Sequence, residues 1–354
     1  MKRILFFAAC ACLCAVACQT NLEPAPEGNG SLLITVSPQG TPAVKSTTDA
    51  VGKEDYLKDV QLFLFRTDGT LYSREVFPEN TKTRTISGVK AGYYQLVAVA
   101  NAPALTGIQT RPELEQQTIA LSDNDPQTGF MMYGAAQSMV KVIGGSETPE
   151  SAVIELERFV SRVRLTTVQN KLPSDCGALT VESAFLENAM GSWTLLASAA
   201  PTGYVNYAGR KQDRSSSTSE SDFIATASDA QCAALTFQSP GRSVPRSTTA
   251  SESFNLPFYG FPNPLAATAD HFSGATGEAA CARLVLRVSY GSPAESWYYP
   301  VTLPAMARNT SYDVSFIISG PGSKDPNQRV LNGSLDVEVK VLGWGNGSSY
   351  QGDF

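Results

Sequence analysis

The strongest constraint on the fold is the spacing of the apolar residues. Short runs of alternating apolar and polar residues, each bounded by Gly, Pro, Asn or Asp, recur along this 354-residue chain. The three- and four-residue apolar spacings that a helix needs hardly occur. The chain is therefore predicted to be all-β, and about seven strands on either side of residue 170 predict two β-sandwiches in series.

The strand predictions rest on period-two patterns and on turn residues between them. The clearest hairpin is VQLFLFRTDGTLYSREVF (60–77), where Gly69 accepts the positive φ of the turn. Residues 102–150 are predicted to form a long polar loop. The turn residues of NKLPSDCG (170–177) predict a linker between two domains. The predicted strands are 32–36, 60–65, 71–77, 83–87, 93–100, 153–156 and 160–168, then 179–186, 234–238, 254–261, 282–289, 296–303, 312–319 and 334–342.

Residues 1–18 have the pattern of a bacterial export signal. Lys2 and Arg3 precede an apolar run, and small residues come before Cys18. The sequence Ala15-Val16-Ala17-Cys18 is similar to a lipobox, in which the cysteine becomes the lipidated N-terminus. An ordinary secretory signal is the alternative, and in either case the protein leaves the cytoplasm.

Charge and cysteine content exclude several classes of protein. With 33 acidic against 27 basic residues, the net charge of -6 gives no basic surface for nucleic acid. The cysteines of the export signal lie in an apolar run without histidine or acidic partners, so we predict neither a metal site nor a cofactor. Cys176, Cys232 and Cys281 remain, which allows at most one disulfide. Pairing of Cys232 with Cys281 stays open.

Both ends of the mature chain carry a strand attached through a turn-rich segment. Near the start, Leu32, Ile34 and Val36 form one apolar face, and the tether 37–55 follows. Near the end, strand 334–342 has an apolar face made of Leu335, Val337, Val339 and Val341. An equivalent strand of another chain can replace a strand held only by ladder hydrogen bonds and an apolar face. Such a chain can polymerise head to tail.

Lys45 is the first basic residue after the export signal. A trypsin-like protease would therefore cut first between Lys45 and Ser46, which would free strand 32–36 together with the lipid. The alternative is that Lys45 is a solvated residue and that both terminal strands stay in a monomeric protein.

Five stretches resemble the fimbrillin family, the subunits of type V pili, and their order along the chain carries the resemblance. They are VQLFLFRTDGTLYSREVF (60–77), GYYQLVAVANAP (92–103), VIELERFVSRVRL (153–165), ARNTSYDVSFIISGPGSKDP (307–326) and LDVEVKVLGWG (335–345).

The resemblance implies two transthyretin-like sandwiches, a palmitoylated lipoprotein of the outer membrane, and a role in a fimbrium and in cell adhesion. It also implies that an arginine- or lysine-directed protease cuts after the first strand, and that another fimbrial subunit, identical or different, fills the slot with its C-terminal strand. By position, 32–36 is the displaced strand, Lys45 the cleavage residue and 335–342 the donor. Lysine in place of arginine leaves open an anchor-like subunit that keeps its first strand and lipid.

The predicted domain layout follows from these assignments. It comprises a lipoprotein signal peptide (1–17) and a lipidated N-terminus with the first strand and a cleavable tether (18–57). An N-terminal sandwich (58–170) is completed by strand 32–36, and a C-terminal sandwich (171–354) carries the donor-type strand 334–342.

Two other functions compete with a pilus subunit. An enzyme with a Ser-His-Asp or Cys-His arrangement would have to use His271, the one histidine of the chain. A sandwich fold can also bring distant Asp and Glu together as a catalytic pair, but no local cluster points to one, so we predict a non-enzymatic protein. A monomeric glycan-binding lipoprotein would stack sugars on exposed aromatic rings. The candidates are Trp193, Trp297, Tyr298 and Tyr299, although aromatic residues in a strand pattern more often pack a core.

Overall fold

The computed structural model describes residues 27–40, 54–195, 230–265, 281–326, 328–331, 333–344 and 346–351. The strands of the first part are β1 (Asn29–Pro38), β2 (Val60–Arg66), β3 (Leu71–Phe77), β4 (Thr83–Lys90), β5 (Gly92–Ala100), β6 (Thr118–Ala120), β7 (Met132–Ala135), β8 (Val140–Val142), β9 (Glu150–Arg158) and β10 (Ser161–Asn170). The strands of the second part are β11 (Leu179–Glu187), β12 (Ser192–Thr194), β13 (Phe237–Gln238), β14 (Arg242–Val244), β15 (Glu252–Gly260), β16 (Arg283–Tyr290), β17 (Glu295–Thr302), β18 (Thr310–Ile318), β19 (Leu335–Gly343) and β20 (Asn346–Gln351). The described residues also form two short α-helices, α1 (Arg111–Glu115) and α2 (Ala230–Thr236).

The strands of the first sandwich are hydrogen-bonded to one another in the continuous order β3-β2-β5-β7-β9-β1-β4. In addition, β8 pairs with β5. Inward residues of β1 and β9 pack in one core with those of β2 and β5. The alternation seen in the sequence produces this core, because every second residue of a strand points to the same face.

The second sandwich consists of two sheets, ordered β15-β10-β18-β19-β20 and β13-β11-β16-β17, and β14 pairs with β11. Their facing side chains form a second core. A third cluster joins the two sandwiches, since it contains Phe63 and Val97 of the first together with Tyr259 and Trp344 of the second. The all-β prediction and the prediction of sandwiches are confirmed.

Three details differ from the sequence predictions. The prediction of a strand over 234–238 is wrong, because AQCAALT forms helix α2 and only Phe237–Gln238 is extended. The high helix propensity of alanine favours this helix. The predicted loop 102–150 contains short strands and helix α1. This helix begins with a capping box between Thr110 and Glu113. Finally, the sequence predicts β10 as part of the first sandwich, but its ladders run to β15 and β18 of the second.

No helix in the described part of the chain is both long and apolar enough to span a membrane.

Candidate functional site

The first strand, β1, lies inside its sheet. Its residues Leu32–Pro38 pair in parallel with Glu150–Leu156 of β9. On the other side, Asn29–Thr35 pair antiparallel with Thr83–Lys90 of β4. A strand with a ladder on each side fills a slot, and its removal would expose two rows of unpaired backbone groups that sheets normally keep covered.

The predicted apolar face of β1 forms part of the core. Leu32, Ile34 and Val36 each have 0% of their surface exposed. Full burial of such side chains stabilises a protein by about 1.5–3 kcal/mol each. The slot therefore consists of two ladders and a floor with three apolar pockets spaced two residues apart.

The entrance of the slot, at the N-terminal end of β1, is narrow. A methyl group added to Gly30 would overlap the carbonyl oxygen of Ile143 and would lie 2.9 Å from Cγ1 of Val142. Backbone bonds hold the same end, because the amide of Gly145 donates to the carbonyl oxygen of Asn29 at 2.9 Å. Only a residue without a side chain fits at the position of Gly30.

The other end of β1 is fixed by Arg158, the last residue of β9, whose side chain is 0% exposed. Its Nη1 donates to the backbone oxygen of Gln39 at 3.0 Å and to Oδ1 of Asn309 at 2.8 Å. Its Nε donates to the backbone oxygen of Glu54 at 3.3 Å, and its Nη2 pairs with Asp55. Burial lowers the pKa of Arg158, and the carboxylates of Asp55 and Glu54 oppose that effect. One arginine thus binds residues on both sides of segment 41–53.

Trp344, which directly follows β19, completes this cluster. Its ring lies 4.9 Å from the guanidinium carbon of Arg158 and 4.9 Å from that of Arg162. Its Nε1 donates to Oε2 of Glu54 at 3.2 Å, and Nη1 of Arg162 donates to the same oxygen at 2.9 Å. Burial and the neighbouring Glu54 carboxylate raise the pKa of Tyr259, whose hydroxyl donates to Oε1 of Glu54 at 2.7 Å. Residues next to both terminal strands therefore meet at one buried site.

Sequence reasoning missed this cluster although one signal was present. Arg158 continues the core-facing series Ala152, Ile154, Leu156 of β9. A charged residue at a core position requires buried partners, so the period-two pattern predicts that other polar groups converge on it. The identity of those partners depends on tertiary contacts more than a hundred residues apart along the chain.

The predicted donor strand lies in a different environment. β19 pairs antiparallel with β18 over Leu335–Gly343. β20 reaches only Lys340–Gly343, so within the described chain Leu335–Val339 is paired on one side. Val339 is 3% exposed, whereas Leu335, Val337 and Val341 are only partly buried against the second core.

Several predicted residues lie outside the described part of the chain. These are the lipidation residue Cys18, the cleavage residues Lys45 and Ser46, and His271. Cys232 and Cys281 are buried as thiols, and Cys176 is a half-buried thiol. Among the described residues, no three His, Cys, Asp or Glu side chains come together as a metal site.

The aromatic residues considered for sugar binding are mostly covered by the protein. The ring of Trp297 stacks on Tyr290 at 6.0 Å between centroids, and Nζ of Lys324 lies 3.5 Å from its centroid. Tyr299 is 0% exposed. Tyr298 packs against the small cluster around Phe185. Trp193 packs against the core between the sandwiches.

The chain is similar in fold to solved structures of fimbrial and cell adhesion proteins. A candidate cell adhesion protein of Bacteroides eggerthii is 20% identical with a TM-score of 0.59, over 90% of this chain and 97% of that chain. The fimbrilin FimA of Porphyromonas gingivalis is 14% identical with a TM-score of 0.56, over 90% of this chain and 98% of that chain. The tip fimbrial protein Mfa3 of Porphyromonas gingivalis is 13% identical with a TM-score of 0.53, over 89% and 100%.

The chain belongs to the family described as fimbrillin-A associated anchor proteins Mfa1 and Mfa2, whose family model matches residues 25–241. The resemblance to fimbrillins seen in the sequence is thereby confirmed. The family is one of fimbrial structural proteins of the cell surface. No curated protein matches the chain.

Proposed function

We propose that this protein is a non-enzymatic structural subunit of a cell-surface fimbria with a role in adhesion, in which β1 is a plug that an equivalent strand of a neighbouring subunit replaces. The supporting observation is the slot itself. β1 has a ladder on each side and three fully buried side chains. Only segment 41–53 joins it to the rest of the sandwich.

Export as a lipoprotein on Cys18 and a cut between Lys45 and Ser46 complete the proposal. Arg158 binds the backbone oxygens of Gln39 and Glu54, which lie on either side of the proposed cut. Because Gln39 and Glu54 stay bound at Arg158, a cut between them leaves β1 in place without a covalent link. β1 then leaves when a competing strand takes over its ladders and pockets.

A second candidate is an anchor subunit that keeps β1 and the lipid. The family model, which describes anchor proteins, favours it, as does the buried network that holds Gln39 to Arg158 and Asn309. In that case the chain accepts no strand and donates only its C-terminal segment.

N-terminal sequencing of the surface-exposed protein tests both candidates. A start at Ser46 supports plug replacement, whereas a blocked N-terminus at a lipidated Cys18 supports the anchor. We expect Lys45→Ala to abolish the start at Ser46. The matched control is Lys58→Ala, an exposed lysine just beyond the segment, which should leave the start unchanged. If Lys45→Ala assembles and starts at the same residue as the wild type, the proposed cut is wrong.

A further inference from the structure

The short strand β8 carries an apolar stripe on its outer face. Val140 and Val142 point inward and pack in the core of the first sandwich. The alternate residues Met139, Lys141 and Ile143 therefore point outward. Met139 is 48% exposed and Ile143 is 45% exposed.

Tyr93 of β5 extends this stripe. It lies directly opposite Lys141 in the ladder between β5 and β8, and Nζ of Lys141 is 5.7 Å from the centroid of its ring. Among the described residues six large hydrophobic side chains are exposed, and three of them lie here. We call Tyr93, Met139, Lys141 and Ile143 the β8 rim. A cluster of exposed apolar side chains usually marks a contact surface.

The part of the chain that leads to Cys18 leaves the sandwich beside this rim. The backbone of Glu27 packs against Gly144, where any Cβ would overlap the carbonyl oxygen of Glu27. The amide of Gly145 donates to the carbonyl oxygen of Asn29 at 2.9 Å. The residues between Cys18 and Glu27 lie outside the described chain, but this length of chain spans at most about 30 Å. A lipid on Cys18 would therefore keep the rim close to its bilayer.

We propose that the β8 rim rests on the lipid surface in which the uncut chain is anchored. The inference rests on the lipidation of Cys18, which is part of the proposed function. Met139 and Ile143 enter the boundary between headgroups and acyl chains, where amphipathic surfaces bury their apolar side chains. Tyr93 and Lys141 lie at the level of the headgroups, as tyrosine and lysine do at membrane interfaces.

Apolar contact is the source of this binding, because the charges at this end balance. Lys90 pairs with Asn29 at the same end. The exposed carboxylates of Glu27 and Glu147 offset Lys90 and Lys141. Salt should therefore have little effect on the contact. The contact can be weak, since a short tether gives an effective concentration in the millimolar range.

The contact would orient the first sandwich relative to the membrane. β1 runs from Asn29 beside the rim to Pro38 at its other end. Ten residues of extended strand are about 30 Å long. The end of β1 that leads into segment 41–53 would therefore lie about that far from the lipid, where a protease in solution can approach it.

The test measures whether the rim touches lipid. The mature chain (19–354), with a hexahistidine tag before Gln19, is bound to phosphatidylcholine vesicles that contain a nickel-chelating lipid. This tether does not depend on lipidation in the cell. Met139→Cys, combined with Cys176→Ser, is labelled with an environment-sensitive dye. We expect its fluorescence to rise about twofold or more on binding, because the dye enters the interface. The rise should persist at high salt and reverse when imidazole releases the chain.

The matched control is Val153→Cys. Val153 is 63% exposed and lies on the outer face of the same sandwich, opposite Thr35 of β1 and away from the rim. Its dye should not respond. Equal responses at the two positions, or no response at position 139, would overturn the inference. Absence of the lipid is seen separately, as an unmodified Cys18 in mass spectrometry of the cellular protein, and would contradict the proposed export.

A second variant tests whether the rim instead contacts a neighbouring subunit. Met139→Ser with Ile143→Ser should leave the melting temperature nearly unchanged, since both side chains are about half exposed. It should remove most of the response of a dye at Tyr93→Cys and leave filament growth of the cut chain unchanged. An undiminished dye response would overturn the inference. If filaments also grow more slowly than with the control pair Val76→Ser and Val153→Ser, the rim contacts another subunit and not lipid.

Discussion

Residues 29–36 of β1 (NGSLLITV) and residues 332–339 around the start of β19 (NGSLDVEV) are identical at five of eight positions but have different surroundings. Leu32 in β1 is completely buried, whereas the corresponding Leu335 in β19 is partly exposed. The cause is position in the sheet, because β1 has a neighbour on each side and Leu335–Val339 has one in the described chain. The local pattern thus determines which face is apolar, and the number of neighbours determines how deeply that face is buried.

In the proposed exchange, this difference would set the direction. A segment that moved from the place of β19 into the slot of β1 would gain a second ladder and deeper apolar contacts. After the proposed cut, a neighbouring subunit would supply those contacts and the released β1 would lose them.

The largest effect is expected at Arg158, which contacts Gln39 after β1 and Trp344 after β19. Arg158→Met should lower the free energy of unfolding by about 3–5 kcal/mol, because it leaves buried carbonyl and carboxylate groups without their partner. Urea denaturation of the intact chain measures this change.

The matched control is Arg308→Met. Arg308 pairs with Glu157 at 2.7 Å, and its side chain is 36% exposed. Its loss should cost about 0–1 kcal/mol. Equal costs at the two arginines would show that the buried cluster does not hold the ends of the two strands.

The second prediction compares one substitution at the two corresponding positions. Leu32→Ala should lower the free energy of unfolding by about 2–5 kcal/mol, since it opens a cavity in the core. Leu335→Ala should cost less than half as much, because its side chain is already partly in water. Urea denaturation of the intact, uncut chain measures both. A larger cost at Leu335 would reverse the comparison.

The smallest effect concerns the outer face. In the alignment of 332–339 with 29–36, Lys340 corresponds to Ser37, which lies opposite Glu155 of β9. If strand 335–342 replaces β1, Lys340→Glu should slow filament growth about two- to fivefold, because repulsion from Glu155 would replace attraction at an exposed site. Light scattering at low and high salt measures the rate, and the difference should shrink as salt screens the charges. The control Lys324→Glu changes an exposed lysine far from the slot in sequence, one that pairs with Glu295. If both substitutions slow growth equally, Lys340 does not face Glu155.

The sequence predicted the strands best where a period-two pattern meets clear turn residues. Leu71–Phe77 has the predicted bounds, and the predicted hairpin around Gly69 is present. The inward faces of Leu32 and Val339 also follow from period two. Local pattern suffices here, because one buried face decides the register of each strand.

Other features depend on contacts that a local pattern does not contain. β10 belongs to the second sandwich because it pairs with β15 and β18. Its own residues do not indicate which of the two sandwiches it joins. The Arg158 cluster unites residues from Gln39 to Trp344. The narrow entrance at Gly30 depends on Ile143, which no spacing rule connects to it.

Hydrogen exchange of the C-terminal segment, measured by mass spectrometry before and after assembly, tests the central claim most directly. If residues 335–341 enter the slot of a second copy, their amides should exchange about tenfold or more slowly in the filament than in the intact monomer, and should match those of 32–36 in the uncut chain. Peptides containing 32–36 should be absent from the filament. Unchanged exchange at 335–341, with 32–36 still present and protected, would contradict the account.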